Sequence, residues 1–98
     1  MPRRSIERIR EAIRTAAYDM TSHAVEEMAE DLFDFIDVET AILCRKLIRT
    51  EQDDPRGTKY TIHGLGADGV ILVGTVGRFV GTGRYLIITV YAVTEPGI

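Results

Sequence analysis

The sequence predicts an α+β domain in which two to three N-terminal helices pack on one face of a three- to four-stranded antiparallel sheet. Apolar residues recur at helical spacing up to about residue 46 and at strand spacing over about residues 47–92. The turns between the strands are too short for parallel crossovers. Because 98 residues suffice for one compact domain and not for two, we expect a single domain over residues 1–98, with helices at about 3–46.

Three amphipathic segments predict the helices. The first covers residues 3–16, the second begins at the capping pair Thr21-Ser22, and the third begins at Asp34 or Asp37 and ends at about residue 46. Each has an apolar side, which is typical of a helix that packs on a sheet. The positions predicted to be buried are Ile6, Ile9, Ile13 and Ala17 in the first helix, Ala24, Val25, Met28 and Leu32 in the second, and Val38, Ala41, Ile42 and Cys44 in the third.

Runs rich in β-branched and aromatic residues predict strands at residues 58–64, 70–76 and 85–92, and residues 47–52 allow a further strand before them. Turns that contain glycine join these runs as hairpins. The last run alternates with a period of two, so its side chains divide between two faces. We predict Leu86, Ile88, Val90 and Ala92 on the core face and Tyr85, Ile87, Thr89 and Tyr91 on the outer face.

Several classes of protein are disfavoured by what the chain contains. No apolar run approaches the roughly 20 residues that span a bilayer, and the charged N-terminus does not resemble a secretory signal, so we expect a cytoplasmic protein without membrane contact. His23, His63 and the single cysteine do not have the spacing of metal ligands. The glycine-rich pieces do not form a phosphate loop, and we assign Gly74 and Gly77 to turns. We therefore predict no metal and no cofactor.

The net charge of −3 conceals a segregation of charge along the chain. Residues 19–39 contain eight acidic residues and no Lys or Arg, whereas residues 40–92 contain seven basic residues and four acidic ones. This pattern is compatible with a local basic surface on the C-terminal half, or with an ordinary solvated surface of mixed charge.

Two histidines are candidates for proton transfer. His23 lies in the first turn of the second helix, where the amide dipoles favour a neutral imidazole that accepts a proton. His63 shares a strand face with Lys59 and Thr61. If that face adjoins Thr89 and Tyr91, it would combine a cation, an imidazole and hydroxyls, which are the groups used in phosphate chemistry. Each histidine also has a structural interpretation, as a hydrogen-bonding residue at a helix start and as a solvent-facing strand residue.

Basic and aromatic residues alternate around the last hairpin turn. Arg78 and Arg84 flank the turn, Phe79 follows the first arginine and Tyr85 follows the second. Such a pattern can hold a single nucleic acid strand by phosphate contact and base stacking. The same charges are also common at hairpin tips for solubility.

The run Tyr18-Asp19-Met20-Thr21-Ser22-His23-Ala24-Val25-Glu26-Glu27-Met28, the following helix at 35–42 and the closing Ile87-Ile88-Thr89-Val90-Tyr91 resemble an uncharacterised family of small bacterial domains. Members are often encoded beside YgiT-type zinc-finger proteins and are thought to be related to RelE- and MqsR-like ribonuclease toxins. The resemblance covers about residues 18–92. It implies a RelE-like fold and an mRNA-cleaving toxin that is inhibited by a zinc-finger-type antitoxin. By position, the residues that match the motif are His23, Thr89 and Tyr91.

The first functional hypothesis is a metal-independent endoribonuclease in which a ribose 2′-OH attacks the adjacent phosphate. His23 would act as base or acid, with Tyr91 or His63 as its partner, and Thr89 would orient a neighbour. The residues expected to bind the RNA or to stabilise charge on the phosphate are Lys59, Arg78, Arg84 and Tyr85.

The alternative hypothesis is an interaction module without enzymatic activity. In that case, Tyr85, Ile87 and Tyr91 would form an exposed sheet face covered by a partner protein or by a second copy of the chain. One feature favours this alternative: similar sequences usually carry an arginine shortly after the Met of the second helix, whereas residues 29–31 here are Ala-Glu-Asp.

Overall fold

A computed structural model describes residues 5–43, 46–51 and 57–93, without the side chains of residues 46–49. The predicted α+β class is confirmed. The predictions for Cys44 lie outside the described residues. In chain order the elements are α1 (Ser5–Arg14), β1 (Tyr18–Met20), α2 (Ser22–Glu30), α3 (Phe35–Leu43), β2 (Lys46–Glu51), β3 (Lys59–Leu65), β4 (Leu72–Phe79) and β5 (Tyr85–Ala92).

The five strands form one mixed sheet in the order β1-β5-β4-β3-β2. Strands β2 to β5 pair antiparallel with their sequence neighbours, as the short turns predict. The expectation of a purely antiparallel sheet of three or four strands is wrong in one respect, because β1 adds to β5 in parallel at the edge. The backbone N–H of Tyr85 donates to the carbonyl of Ala17 at 3.1 Å, and that of Thr21 donates to Ile87 at 3.0 Å. A three-residue strand is too short to give an alternation signal in the sequence.

The helices cover one face of the sheet, and most of their predicted apolar positions are buried. The side chains of Ile9, Ile13, Ala24, Met28, Val38, Ala41 and Ile42 join the core. Two predicted core residues of the second helix are not buried, since Val25 is 40% exposed and Leu32 is 90% exposed. Helix α2 ends at Glu30, and Leu32 has a left-handed backbone with a φ of 60°, which takes its side chain out of the helical phase. None of the helices in the described residues is long and apolar enough to cross a membrane.

A bulge in β5 overturns the predicted facing of its side chains. Gly77 pairs with Ile87 and Val76 pairs with Thr89, so Ile88 has no counterpart on β4. One extra residue shifts the alternation by one position. Before the bulge, Tyr85 and Ile87 are fully buried against the helices, and after it Val90 is the buried residue. The predicted outer face is therefore correct for Thr89 and Tyr91, and wrong for Tyr85 and Ile87.

Helix α2 completes the edge of β5 that β1 leaves uncovered. Thr21 is the N-cap, as predicted, and its Oγ1 accepts the backbone N–H of Ala24 at 3.1 Å while donating to the carbonyl of Ile88 at 2.9 Å. Nearly two helix turns further, Glu27 Oε1 accepts a hydrogen bond from the backbone N–H of Val90 at 3.0 Å. These bonds satisfy strand groups that would otherwise lack a partner, and they fix α2 beside the second half of β5.

Candidate active site

The face of the sheet opposite the helices brings together side chains from β3, β4 and β5. We call this surface the open face. The register places His63 of β3 opposite Gly74 of β4, and Gly74 opposite Tyr91 of β5. Because facing residues of neighbouring strands point to the same side, His63 and Tyr91 are separated only by a glycine.

The side chains of His63 and Tyr91 meet above that glycine. His63 Nε2 lies 2.7 Å from Tyr91 Oη, and the two rings meet edge to face with centroids 5.6 Å apart and planes at 83°. Both residues are half-buried, so the pair remains open to solvent. We call these two residues the His–Tyr pair. A hydrogen bond of this length lets a proton pass between an imidazole and a phenol.

Gly74 makes this contact possible. A Cβ at this position would lie 2.4 Å from the ring carbons Cε2 and Cζ of Tyr91, which is closer than atoms can approach. The absence of a side chain lets the phenol ring lie flat across β4 and reach β3. The assignment of Gly74 to a turn is therefore wrong, and sequence reasoning missed its role. The available signal was a lone glycine within a β-branched run, which often marks a close approach.

A second tyrosine crosses β4 on the other face of the sheet. A Cβ at Gly77 would lie 2.6 Å from the Tyr85 ring, and Gly77 is the register partner of Tyr60. Burial raises the pKa of the Tyr85 phenol, and its Oη has no hydrogen-bond partner among the described residues. The predicted role of Tyr85 in binding substrate is incompatible with its position in the core. Phe79 packs against Tyr85 at 5.2 Å, and Arg8 lies 4.4 Å above the Phe79 ring, so neither aromatic ring is available for stacking.

The cations of the open face lie at a distance from the His–Tyr pair. Lys59 is four residues from His63 on β3, and Arg78 is four residues from Gly74 on β4. At strand spacing these separations are about 13 Å. The intervening register row contains Thr61, Val76 and Thr89, which places both predicted threonines on the same face. The arrangement is a polar track about three rows long, with the His–Tyr pair at one end and basic side chains at the other.

Arg84 points away from this track and binds β1. Its Nε donates to Asp19 Oδ2 at 2.7 Å, and its Nη2 donates to the carbonyl of Tyr18 at 3.0 Å. The guanidinium lowers the pKa of the Asp19 carboxyl through this hydrogen bond, and the carboxylate raises the pKa of Arg84. The contact joins the edge strand to β5 and engages the guanidinium, so we do not include Arg84 in the polar track.

His23 occupies a different position from the one that its predicted role requires. Its side chain is 66% exposed on α2, and its Nε2 lies 3.4 Å from Glu27 Oε1. The groove beside it is lined by Glu26, Glu27 and Glu30, with no cation among the lining residues. In the described part of the chain, this imidazole makes no contact with the His–Tyr pair. An acidic surrounding opposes the binding of a phosphate.

Comparison with known proteins gives a family and no activity. The profile of a domain of unknown function, DUF4258, matches residues 20–92, which is most of the chain. No curated protein and no solved structure matches this chain. Groups of three or more side chains able to ligate a metal do not occur in the described ranges.

Proposed function

The chain belongs to the DUF4258 family of domains of unknown function, and we propose that it is a metal-independent endoribonuclease whose active site is the open face. The observation that carries the proposal is the 2.7 Å contact between His63 Nε2 and Tyr91 Oη, held above Gly74 on a solvent-open surface. Gly74 is what lets the phenol reach the imidazole, because a Cβ at this position would overlap the Tyr91 ring.

The proposed reaction is a transesterification within the RNA strand. His63 removes the proton from a ribose 2′-OH, and the 2′ oxygen forms a bond to the adjacent phosphorus. The bond from phosphorus to the 5′ oxygen breaks, and Tyr91 donates its phenolic proton to that oxygen. The products are a 2′,3′-cyclic phosphate and a 5′-hydroxyl end. The proton held by His63 then returns to Tyr91 through the hydrogen bond between them, which restores both groups.

The basic end of the track would hold the RNA strand on one side of the cut. The backbones of Lys59 and Arg78 lie about 13 Å along their strands from those of His63 and Gly74, two register rows from the phosphate that would react. Their proposed role is therefore to bind a neighbouring phosphate, with Thr61 and Thr89 offering hydroxyls between. This differs from the expectation that Lys59 or Arg78 stabilises charge on the phosphate that reacts.

The proposal moves the centre of the site from His23 to His63. The motif that matches the toxin-related domains includes His23, Thr89 and Tyr91, and two of these three residues face the proposed track. On that resemblance we further propose that the chain is the toxin-like member of a toxin–antitoxin pair, with mRNA as its substrate and a zinc-finger-type antitoxin as its partner.

The test is cleavage of a fluorophore-labelled single-stranded RNA by the purified protein in the presence of EDTA. We expect cyclic-phosphate products, no cleavage of the all-deoxy strand, and loss of activity by about 10²-fold or more in His63→Ala and Tyr91→Phe. Val70→Ser, at an exposed hairpin tip, is the control and retains activity. His23→Ala is the discriminating variant, because a loss of activity equal to that of His63→Ala would place the site on α2. If the wild-type protein neither cuts nor binds RNA at low salt, the proposal is wrong.

A further inference from the structure

We propose that the outer edge of β1, together with the groove beside it, is a docking site for an extended, Lys- and Arg-rich segment of a partner polypeptide. This site is separate from the open face and does not depend on the proposed ribonuclease activity. Three observations support it: an apolar groove, a strand edge that pairs with no other strand of the described residues, and acidic residues in and around the groove.

The groove lies between β1, α2 and α3 and has a volume of about 410 Å³. Its apolar lining includes Met20, Val25 and Phe35, and the last two are 40% and 49% exposed. Val25 belongs to α2 and Phe35 to α3, so each helix contributes one partly exposed apolar residue to the groove. Tyr18 closes the floor, where its Oη donates to Glu39 Oε2 at 2.6 Å. Burial and this hydrogen bond raise the pKa of Tyr18.

The edge strand beside the groove offers hydrogen-bonding groups to a further strand. The bonds from Tyr85 to Ala17 and from Thr21 to Ile87 direct the amide groups of Asp19 towards β5. The backbone groups of Tyr18 and Met20 therefore point to the opposite side, where the described part of the chain has no strand. Arg84 binds the carbonyl of Tyr18, which leaves Met20 as the residue available for pairing. An added strand would place alternate side chains into the groove.

Charge selects the occupant. The lining of the groove includes Asp19, which pairs with Arg84, and Glu39, and among the described residues it includes no Lys or Arg. The other six acidic residues of segment 19–39 lie on α2, on α3 and in the turn between them. A second copy docking symmetrically through β1 would oppose like charges across the two-fold axis. In a segment that alternates apolar residues with Lys or Arg, the apolar side chains can pack in the groove and the basic side chains can pair with the acidic residues. We therefore assign the site to a basic heterologous partner.

The test uses the full chain and a capped peptide of sequence Lys-Val-Arg-Val-Lys-Val-Arg, with a control peptide in which glutamate replaces every basic residue. Two variants are matched in exposure: Phe35→Ser removes a groove residue that is 49% exposed, and Ile71→Ser removes one that is 45% exposed on the hairpin tip. Binding is followed by the backbone amide resonances in NMR titrations, at low and at high salt.

We expect the basic peptide to shift the amide resonances of Tyr18 and Met20, and its affinity to fall with salt. Phe35→Ser should weaken it about tenfold, the loss expected when a half-buried aromatic anchor is removed, and Ile71→Ser should not. Absence of binding, equal binding of the glutamate peptide, equal loss in the two variants, or shifts confined to the open face would each overturn the assignment. Dimerisation of the chain that Phe35→Ser abolishes would replace the partner with a second copy. RNA cleavage is not measured, so the outcome is independent of the ribonuclease proposal.

Discussion

Two glycines of β4 should respond to the same substitution with different losses of stability, because each lies under a tyrosine on a different face of the sheet. A Cβ at Gly74 meets Tyr91 at 2.4 Å, and one at Gly77 meets Tyr85 at 2.6 Å. Tyr91 is half-buried on the open face and its ring can swing into solvent, whereas Tyr85 is fully buried and has nowhere to move. The two substitutions to alanine therefore separate loss of the His–Tyr pair from loss of stability.

The expected magnitude for Gly74→Ala is small. Alanine in a strand is favoured over glycine by about 0.5–1 kcal/mol, while loss of the hydrogen bond between Tyr91 and His63 removes about 0.5–1.5 kcal/mol. The free energy of unfolding should fall by no more than about 1 kcal/mol. Gly77→Ala should lower it by about 1–3 kcal/mol, the range for overpacking a core that cannot relax. For a domain of this size, each kcal/mol shifts Tm by about 4–8 °C.

A double-mutant cycle isolates the contact with the ring. In a Tyr91→Ala background the clash at position 74 is gone, so Gly74→Ala should become stabilising by about 0.5–1 kcal/mol. Urea denaturation at equilibrium gives the four free energies, and the side-chain ¹⁵N resonances of His63 report whether the hydrogen bond survives. RNA cleavage should be lost in Gly74→Ala despite a native fold. A destabilisation by Gly74→Ala as large as that by Gly77→Ala, or an unchanged His63 resonance, would refute the proposed geometry.

Three further predictions concern buried and paired ionisable groups. Tyr85→Phe removes a buried hydroxyl that has no hydrogen-bond partner among the described residues, so the free energy of unfolding in urea should stay constant or rise by up to about 1 kcal/mol. Tyr85→Ala should lower the free energy of unfolding by about 3–5 kcal/mol. The pKa values of Tyr18 and Tyr85 in the folded protein are raised above the ordinary 10.0. The stability that the two phenols contribute is therefore complete below pH 10 and is lost as the pH rises towards their pKa values in the folded protein. Urea midpoints should fall above about pH 10, and they should fall less steeply in Tyr85→Phe. The hydrogen bond with Arg84 lowers the pKa of Asp19 from 3.8, so the stability that this carboxylate contributes is present above pH 3.8 and is lost as the pH falls through its pKa in the folded protein. Because the carboxylate is exposed, Asp19→Asn should change the urea midpoint at neutral pH only slightly. Added salt should remove that difference.

The sequence predicts the parts of this fold that depend on local pattern. The helical spacing of Ile9 and Ile13, the cap at Thr21 and the glycine turns are local features, and the structure contains all of them. Strand β1 depends instead on the geometry of a distant strand, since its three residues pair with β5 more than sixty positions away. The facing of Tyr85 and Tyr91 depends on a bulge that has no signature in the run of β-branched residues around Ile88. No reasoning from alternation alone could have separated these two tyrosines.

The same bulge determines why the candidate site exists. Without the extra residue at Ile88, strict alternation would place Tyr85, Ile87 and Tyr91 on one face. Tyr85 and Ile87 could then not be buried in the core while Tyr91 lies on the open face. With the bulge, Tyr85 in the first half of β5 points into the core, and Tyr91 in the second half points to the open face. Each half then uses a glycine of β4 to carry a tyrosine across to β3, Gly77 towards Tyr60 inside and Gly74 towards His63 outside. A bulge next to a pair of reactive side chains is a common way to redirect a strand at a functional site, and this is the structural reason for placing the chemistry at His63 rather than on α2.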